Sequence, residues 1–313
     1  MNQEHNLEAE AVAFDQRIKE RKNAGYIPDI RRAVKCDYFY KSFWRDPHFV
    51  KLYLGEIAKN ILQMIQKNKG KNLKILDAGC GAGYFSLELA REGYQVFGID
   101  ISLESIEAAK ETLAANPFKD GFGSLKYKVM SFLDAEGQYD VILFSGVLHH
   151  FDDPEQAICK AIELLSPKGL VICYEPCHES WRKKDAAHVA LIRKLLSLTG
   201  LWYESGLIKK NFKSYTEEIH LEYITEKDKN ERGQSPKDNS ATGEEILSCL
   251  RKQLDELEYK PSFSFIYRLL GGLRGPGLVV RKIADILTLY DRFGVNRGFL
   301  KPNYFYFVGR KKN

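Results

Sequence analysis

The stretch 73–100, LKILDAGCGAGYFSLELAREGYQVFGID, constrains the fold more than any other part of the sequence. An apolar run ends at Asp77, and three glycines follow at alternate positions, Gly79, Gly81 and Gly83. The apolar run is typical of a buried strand, and glycine permits the positive φ angles and the close ligand approach of a tight loop. A helical pattern and a second apolar run, which ends in an aspartate, come next. The order predicts a strand, a glycine loop, a helix and a second strand with a carboxylate at its end.

This arrangement predicts a nucleoside-binding site at one edge of a parallel sheet. Asp100 would lie at the carboxyl end of the second strand, where open parallel sheets bind ligands, and its carboxylate can accept hydrogen bonds from both ribose hydroxyls. Two cofactors compete, a nicotinamide dinucleotide and S-adenosylmethionine (SAM). The dinucleotide pattern G-x-G-x-x-G needs its third glycine one position later than Gly83. Asp77, just before the loop, suits the amino group of a methionine moiety and not a pyrophosphate, so the loop favours SAM.

Four motifs in sequence order resemble those of the class I SAM-dependent methyltransferases, and in particular their type 11/12-like small-molecule members. The motifs lie at 77–83, at 100–102, at 139–142 with 146–150, and at 164–170. The resemblance covers roughly 71–176, about a third of the chain. It implies an α/β, Rossmann-like fold with a seven-stranded, mostly parallel sheet and helices on both faces. It also implies SAM as the methyl donor and S-adenosylhomocysteine as the product.

The resemblance assigns cofactor contacts to particular residues. The loop residues would hold the methionine end, Asp100 the ribose, and Ser131 with Phe132 the adenine edge. Many relatives end the third strand in an aspartate that accepts a hydrogen bond from adenine, whereas this chain has Met-Ser-Phe there and Asp134 as an alternative acid. The predicted cofactor-binding residues are Asp77, Gly79, Cys80, Gly81, Gly83, Asp100, Ile101, Ser102, Ser131, Phe132 and Ser145.

Catalytic and acceptor-binding candidates follow the later strands. His149 and His150 leave the fourth strand, and either imidazole could act as a general base because it titrates near neutral pH; the alternative is that the pair packs and orients the loop. Glu175 follows the fifth strand and could bind the acceptor or act as a base, or be a helix cap or surface carboxylate. Tyr38 and Tyr40 belong to an aromatic cluster that either faces the acceptor as a lid or packs on the domain.

The rest of the chain is predicted to surround this core. Ser102, Asp153 and Thr242 are typical helix N-caps, the last with Glu245 in a capping box. Helical N-terminal and C-terminal insertions are expected to cover the active site. The predicted parts are an N-terminal helical cap at 1–70, the SAM-binding core at 71–176, a substrate-covering insertion at 177–241, and the end of the core at 242–313. That last part is predicted to hold a helix at 242–257, strands at 261–267 and 304–308, and a helical insertion at about 268–302.

Composition and charge limit the expected partners. The net charge of +5 is mild and the basic residues are spread out without an aromatic platform, so nucleic acid is not expected. Six scattered cysteines are typical of reduced thiols in a cytoplasmic protein. Cys173, Cys177 and His178 lie close together, but no metal is expected because no second ligand pair has zinc-like spacing.

Hydrophobicity limits the expected contact with membranes. The polar N-terminus is unlike a signal peptide, and no apolar stretch approaches the roughly 20 residues of a membrane helix. A helix expected at 278–293 carries basic residues beside apolar ones and could touch a membrane surface peripherally. The commoner arrangement for such a helix is packing on its own domain.

The motifs and insertions together predict methyl transfer to an oxygen, nitrogen or carbon of a small-molecule or lipid-like acceptor. The sulfonium of SAM already carries an activated methyl group, so the protein needs only to align the nucleophile and exclude water. One alternative is a SAM-binding pseudo-enzyme or interaction protein. Another is an NAD(P)-dependent oxidoreductase.

Overall fold

The computed structural model of the chain describes residues 2–36, 42–225, 235–237 and 239–312. In these ranges seven strands form one sheet in the order β3-β2-β1-β4-β5-β7-β6. The strands are β1 Lys74–Ala78, β2 Gln95–Asp100, β3 Ser124–Val129, β4 Tyr139–Ser145, β5 Leu165–Pro176, β6 Leu254–Ser262 and β7 Tyr304–Lys311.

The sheet is parallel except at one strand. β1 to β5 pair in parallel, and β7 runs antiparallel to both of its neighbours, β5 and β6. The central strands are buried on both faces, as in the fully buried residues 141–144 of β4, because helices cover the sheet from both sides. The predicted seven-stranded, mostly parallel fold is therefore confirmed.

Helices flank the sheet and extend beyond it. In the part of the chain that the structure describes, the α-helices are α1 Asn2–Asn23, α2 Pro47–Val50, α3 Glu56–Asn68, α4 Tyr84–Arg91, α5 Leu103–Ala114, α6 Pro154–Leu164, α7 Lys183–Leu198, α8 Phe212–Thr225, α9 Gly243–Gln253, α10 Ile266–Leu270 and α11 Gly277–Asn296. A π-helical turn, Lys51–Gly55, joins α2 to α3. No helix among these residues is long and apolar enough to cross a membrane.

The predicted helix caps are confirmed. Ser102 Oγ accepts a hydrogen bond from the backbone of α5 at 3.0 Å, and Asp153 caps α6 in the same way at 3.2 Å. Thr242 and Glu245 form the reciprocal capping box of α9. These side chains satisfy backbone N–H groups that have no partner inside their own helix, and therefore they fix where each helix begins.

Two boundary predictions near the C-terminus are wrong. The helix predicted at 242–257 ends at Gln253, because Leu254 begins β6, which pairs with β7 up to Ser262. The segment 261–267 is consequently not a strand of its own, and its last residues enter α10. Leucines at 250, 254 and 257 continue a helical pattern, but Leu254 is buried as a strand residue and Leu257 is exposed. Pairing with β7 therefore overrides the local helical pattern.

The N-terminal helix is held across the edge of the sheet by polar contacts. Asp15 of α1 accepts hydrogen bonds from Ser102 Oγ at 2.7 Å and from the backbone of Glu104 at 3.0 Å, at the N-terminus of α5. Further along, the buried Arg91 guanidinium makes two hydrogen bonds to the carboxylate of Asp29, at 2.8 and 2.9 Å. The contacts of Asp15 place this part of α1 beside the carboxyl end of β2, and the contact of Asp29 holds the segment after α1 against the end of α4.

The C-terminal helices form a separate layer. α7 and α8 are joined by two hydrogen bonds from Arg193 to Glu222, at 2.7 and 2.9 Å. In α11 the fully buried Asp291 accepts hydrogen bonds from the backbone of Ser264 and Phe265, and burial raises the pKa of this carboxyl to about 7. The layer therefore carries its own buried polar anchors and is attached to the segment that precedes α10.

Candidate active site

A cavity of about 890 Å³ opens where the strands of the sheet end. Its walls include the ends of β1, β2, β4 and β5 and the beginning of β7, which runs the other way and so begins at the same edge. Ligand pockets in proteins are typically about 300–1,000 Å³, so this cavity lies near the upper end of that range. It has room for a cofactor and a small acceptor side by side.

The glycine loop between β1 and α4 forms the floor of the cavity. Gly79 and Gly83 have φ angles of +68° and +78°. A Cβ on Gly79 would lie 2.6 Å from a methyl group of Val147, and one on Gly83 would overlap the hydroxyl of Tyr127. Glycine is therefore required both for the backbone conformation and for the close packing of the loop.

The loop is attached to β2 by its backbone. Cys80 N donates to Ile99 O at 2.9 Å, and Gly81 N donates to Asp100 Oδ2 at 2.8 Å. At Gly81, no heavy atom lies within 4 Å of the place where a Cβ would stand. The backbone at this point is therefore open to a ligand in the cavity.

Asp77 places a buried carboxylate beside this opening. Its side chain borders the cavity and accepts a hydrogen bond from Ser86 Oγ at 2.5 Å, and no ion pair of Asp77 is found among the described residues. Burial, reinforced by the negative charge of Asp100, raises the pKa of the Asp77 carboxyl to about 6. A buried carboxylate in this position is suited to a cationic group on a ligand.

Asp100 supplies the second carboxylate. Its Oδ1 accepts a hydrogen bond from Ser102 N at 2.8 Å, and burial raises the pKa of the carboxyl. Both oxygens therefore have a backbone donor, and each retains a lone pair that can accept a ligand hydroxyl. Asp100 borders the cavity, as the sequence predicts.

Most of the predicted cofactor residues line the cavity. Ser131 caps the short 3₁₀ helix Phe132–Asp134, and the Phe132 ring packs edge-on against Phe144 at a centroid distance of 5.0 Å. The predicted residues that border the cavity are Asp77, Gly79, Cys80, Gly81, Asp100, Ile101, Ser131, Phe132 and Ser145. Sequence reasoning missed their neighbours Ala82, Met130, Leu133, Gly146 and Val147, which carry no polar side chain that would single them out.

Three residues named from the sequence do not reach the cavity. Ser102 is fully buried as the cap of α5 and the partner of Asp15, so its hydroxyl is used by the fold. The carbonyl of Gly83 accepts a hydrogen bond from Tyr127 at 3.0 Å, beneath the loop. Asp134, the alternative adenine acid, is exposed and lies outside the cavity.

Glu175 also lies elsewhere than predicted. Its carboxylate is fully buried beneath the loop that follows β4 and does not face the mouth of the cavity. It accepts hydrogen bonds from the backbone of Val147 at 2.9 Å and Leu148 at 3.0 Å, and its other oxygen lies 2.9 Å from His149 Nδ1. Glu175 therefore does not border the cavity, and its hydrogen bonds position the loop that follows β4.

Both histidines line the cavity. His149 is oriented by Glu175, whereas His150 faces the N-terminal helix, with Nδ1 2.9 Å from Glu10 Oε1. Glu10 also accepts a hydrogen bond from Lys237 N at 2.9 Å, and the ring of Phe14 lies 5.7 Å from that of His150. α1 and the segment 235–237 therefore meet above the cofactor side of the cavity.

Aromatic side chains from distant parts of the chain line the other end of the cavity. Tyr53 Oη and Tyr174 Oη are 3.2 Å apart, and the Tyr174 ring stacks on Tyr304 at 5.0 Å with an interplanar angle of 7°. Tyr267 of α10 meets Tyr304 edge-on at 5.3 Å. We call Tyr53, Tyr174, Tyr267 and Tyr304 the tyrosine wall. Sequence reasoning missed it because its members lie on four separate elements.

The predicted lid tyrosines, Tyr38 and Tyr40, lie outside the described residues. The neighbouring Phe43 and Trp44 do border the cavity, and the Phe43 ring lies 4.8 Å from that of Tyr53. α7, α8 and α11 contribute no side chain to the cavity. Of the two predicted covering insertions, only Lys237 and Arg268 border it among the residues that the structure describes.

Metal ligands are not brought together in the part of the chain that the structure describes: no group of three His, Cys, Asp or Glu side chains could hold an ion. Cys173 is fully buried within β5, and the Cys177 thiol donates to the carbonyl of Pro302. All six cysteines are free thiols.

A comparison with known protein families agrees with this geometry. A family model described as a methyltransferase domain matches residues 48–218, more than half of the chain. The chain belongs to this methyltransferase family. The match confirms the resemblance that the four motifs predict.

Curated methyltransferases are similar to part of this chain. The ubiquinone biosynthesis O-methyltransferase of Pelagibacter ubique is 37% identical over 142 residues, which cover 41% of this chain and 57% of the relative. The ribosomal RNA small subunit methyltransferase C of Alcanivorax borkumensis is 32% identical over 148 residues, which cover 44% and 43%. The chain thus spans about half the length of these curated relatives.

Solved structures of methyltransferases are also similar to this chain. The N-methyltransferase NodS of Bradyrhizobium japonicum, solved with S-adenosyl-L-homocysteine, aligns with a TM-score of 0.44 and 14% identity. The alignment covers 83% of this chain and 87% of that one.

Asp77 yields a prediction about stability. The pKa of its carboxyl is about 6 in the folded chain, against an ordinary value of 3.8. As the pH rises from about 4 to about 6, the unfolded chain releases this proton before the folded chain does, so the free energy of unfolding falls over that range. Above about pH 6 the ionised carboxylate lowers the free energy of unfolding by a constant amount. We expect Asp77→Asn to raise the free energy of unfolding at pH 8 by roughly 1–3 kcal/mol and to change it little at about pH 4. Urea denaturation at both pH values measures the difference.

Asp134→Asn is the matched control, because Asp134 is exposed and lies outside the cavity. Its free energy of unfolding should equal that of the wild type at both pH values. A lower stability of Asp77→Asn at pH 8 would contradict the assignment of a strained, buried charge at this position.

Proposed function

We propose that this chain binds SAM and transfers its methyl group to an oxygen, nitrogen or carbon of a small-molecule or lipid-like acceptor. One observation carries the proposal: the buried carboxylate of Asp77 and the partly buried carboxylate of Asp100 border one cavity, beside a glycine loop whose backbone is open at Gly81. SAM presents a cationic ammonium and a ribose diol, which are the groups that two such carboxylates can bind.

The residues present fit this cofactor. Asp77 would accept hydrogen bonds from the ammonium of the methionine moiety, and Asp100 would accept them from the ribose hydroxyls. Ser131 and Phe132, which also border the cavity, would hold the adenine edge. When bound, SAM supplies an activated methyl group on a sulfonium. The chain's own task is then to orient the acceptor and to exclude water, which α1 supports by closing the cavity from above.

The rival functions fit less well. A dinucleotide would place a pyrophosphate against the loop, next to the carboxylate of Asp77, and two negative groups in a buried site repel each other. A pseudo-enzyme that keeps SAM for structure alone would have no use for the tyrosine wall, which extends the cavity beyond the cofactor side. Turnover on a second ligand is therefore the better proposal.

The tyrosine wall favours an acceptor with an aromatic or apolar surface. Burial raises the pKa of Tyr174 well above its usual range, so its phenol stays neutral and can donate a hydrogen bond. Stacked and edge-on rings offer flat apolar faces to a planar ligand. The proposed acceptor is accordingly a small planar or lipid-like molecule and not a nucleic acid, although one relative is named as a ribosomal RNA methyltransferase.

We propose His149 as the general base for an acceptor hydroxyl. The Nδ1 atom of His149 lies 2.9 Å from Oε2 of the buried Glu175. A carboxylate can only accept a hydrogen bond, so it favours the tautomer in which Nδ1 carries the proton and Nε2 has the lone pair. Glu175 is then a positioning residue, and His150 joins the loop to α1. Oxygen is the favoured acceptor atom because it needs such a base, and the name of the relative from Pelagibacter ubique specifies O-methylation.

The division into an N-terminal cap, a core and two insertions also stays a proposal. A cytoplasmic location is supported by the six unpaired thiols, since cytosolic proteins keep their cysteines reduced.

Binding of the cofactor tests the proposal most simply. We expect Asp100→Ala to raise the dissociation constant for SAM at least tenfold in isothermal titration calorimetry, because the ribose acceptor and the support of Gly81 are both lost. Asp100→Asn keeps an acceptor for one backbone N–H and should lose less. Asp134→Ala should bind like the wild type. Near-normal SAM binding by a folded Asp100→Ala variant, or binding of NADH in place of SAM, would refute the assignment.

The role of His149 can be separated from packing by a pH profile. With a small phenol that the wild-type protein methylates, we expect His149→Gln to lower kcat roughly 100-fold and to abolish the acid limb of the profile, because the base is gone. Glu175→Gln should shift that limb to lower pH, because the carboxylate no longer stabilises the imidazolium. His150→Gln is the control and should retain the limb. A His149→Gln variant with an unchanged acid limb would show that the ring only packs.

A further inference from the structure

We infer that the chain docks on an anionic lipid membrane through the outer faces of α7 and α11 and the segment 205–213. We call this region the α7–α11 surface. It lies outside the cavity, so the inference is independent of the proposed reaction.

α7 carries an exposed apolar stripe. Leu191, Leu195 and Leu198 are 52%, 53% and 66% exposed, and they follow His188 at spacings of 3, 7 and 10 residues, so they lie on one face of the helix. Isolated exposed leucines are common, but a full stripe of them is not. The stripe is therefore typical of a surface that binds a partner or a membrane.

α11 carries a second apolar stripe. Leu278 and Ile286 are 78% and 64% exposed, and Leu289 and Phe293 are exposed as well. Its opposite face is anchored in the protein by the fully buried Ala284 and Asp291. The packing of the helix on its own domain, the commoner expectation from the sequence, therefore uses one face and leaves the other apolar face in water.

The two stripes flank a single seam. α7 and α11 run antiparallel, because the His188 ring lies 6.5 Å from that of Tyr290 at one end, and Arg274 N donates to Leu201 O at 2.9 Å at the other. Ile286 and Phe293 lie four residues before and three after Tyr290, on the same face as this contact. The exposed side chains of both helices are therefore neighbours across the seam.

The segment 205–213 extends the surface on the other side of α7. Lys194 Nζ donates to the carbonyls of Leu207 and Lys210, each at 2.6 Å, which holds the segment beside the leucine stripe. Ile208 and Phe212 are exposed apolar side chains, and three lysines lie next to them in the sequence IKKNFK. Aromatic and aliphatic side chains interleaved with lysines are typical of segments that lie in a membrane interface.

Charge identifies the partner. Residues 181–213 contain eight Lys and Arg against two Asp and Glu, a net charge of +6, whereas the whole chain carries +5 and the remainder therefore −1. Arg193 and Lys194 are buried, but Lys183, Lys184, Lys209 and Lys213 are exposed. On α11, Arg281 and Arg292 keep half of their side-chain area or slightly less in water. Segment 181–213, which contains the leucine stripe of α7, therefore carries an excess of positive charge, although Lys183 also forms an ion pair with Glu217 of α8.

An anionic bilayer matches both properties at once. Its interface accepts leucine and phenylalanine side chains, and its headgroups attract the surrounding lysines and arginines. A second copy of this chain would instead bring two positive surfaces face to face, which disfavours self-association. This arrangement would hold the protein at the membrane surface.

Vesicle flotation with the full chain tests the inference. We expect the wild type to float with vesicles of phosphatidylcholine and phosphatidylglycerol at about 7:3 in about 0.1 M NaCl, and to float poorly with pure phosphatidylcholine or in about 0.5 M NaCl. Lys209→Glu with Lys213→Glu should lower the partition coefficient at least tenfold, since each lysine contributes about 1 kcal/mol, or about fivefold. Leu195→Ser with Leu198→Ser should lower it by a similar factor through lost apolar burial.

Matched controls exist at other exposed sites. Lys119→Glu with Lys126→Glu reverses two exposed lysines around β3, and Leu103→Ser with Leu257→Ser removes two exposed leucines on other elements. Both control pairs should float like the wild type. Circular dichroism melts confirm that every variant is folded.

Three results would overturn the inference: no flotation of the wild type with anionic vesicles, flotation of both surface variants at the wild-type level, or equal losses in the control pairs. A dimer in light scattering that dissociates on Leu195→Ser with Leu198→Ser, without vesicle binding, would assign the surface to a second copy. Capture by an acidic protein in the absence of flotation would likewise replace the membrane as the partner.

Discussion

The hydrogen bond from Gly81 N to Asp100 Oδ2 is the contact on which the rest of the site depends. It connects the loop after β1 to the end of β2, and it orients a carboxylate and an open stretch of backbone toward the same cavity. Because Asp77 lies on the other side of this loop, the contact also places the carboxylates of Asp77 and Asp100 at the wall of one cavity. Their raised pKa values are the cost of that arrangement, which a cationic ligand would offset.

Two layers with different tasks surround this contact. The inner layer consists of α1, the loop after β4 and the tyrosine wall, and its buried polar contacts hold side chains around the cavity. In this layer the carboxylate of Asp15 accepts hydrogen bonds from Ser102 Oγ and Glu104 N, so one side chain both contributes to the N-terminus of α5 and holds α1 beside the site. The outer layer of α7, α8 and α11 contributes nothing to the cavity and exposes apolar and basic side chains instead. The proposed methyl transfer and the proposed membrane docking therefore use separate surfaces.

Local signals made much of this structure predictable from the sequence. The glycine spacing, Asp77, Asp100 and the helix caps at Ser102 and Thr242 act within a few residues of themselves, so their roles follow from short motifs. The failures involve contacts between distant residues. Glu175 is buried beneath the loop because it accepts hydrogen bonds from three groups there. β6 forms in place of the end of the predicted helix because it pairs with β7. The tyrosine wall is formed by residues from four elements, so no local sequence pattern predicts it.

The most direct test of the account is native mass spectrometry of freshly purified protein, followed by identification of whatever is released on denaturation. The two carboxylates and the loop predict that a fraction of the chain retains SAM or S-adenosylhomocysteine, and that added SAM saturates the remainder. Protein that is empty, and whose melting temperature ignores added SAM, would contradict the central claim. A retained dinucleotide would contradict it as well and would assign the cavity to redox chemistry.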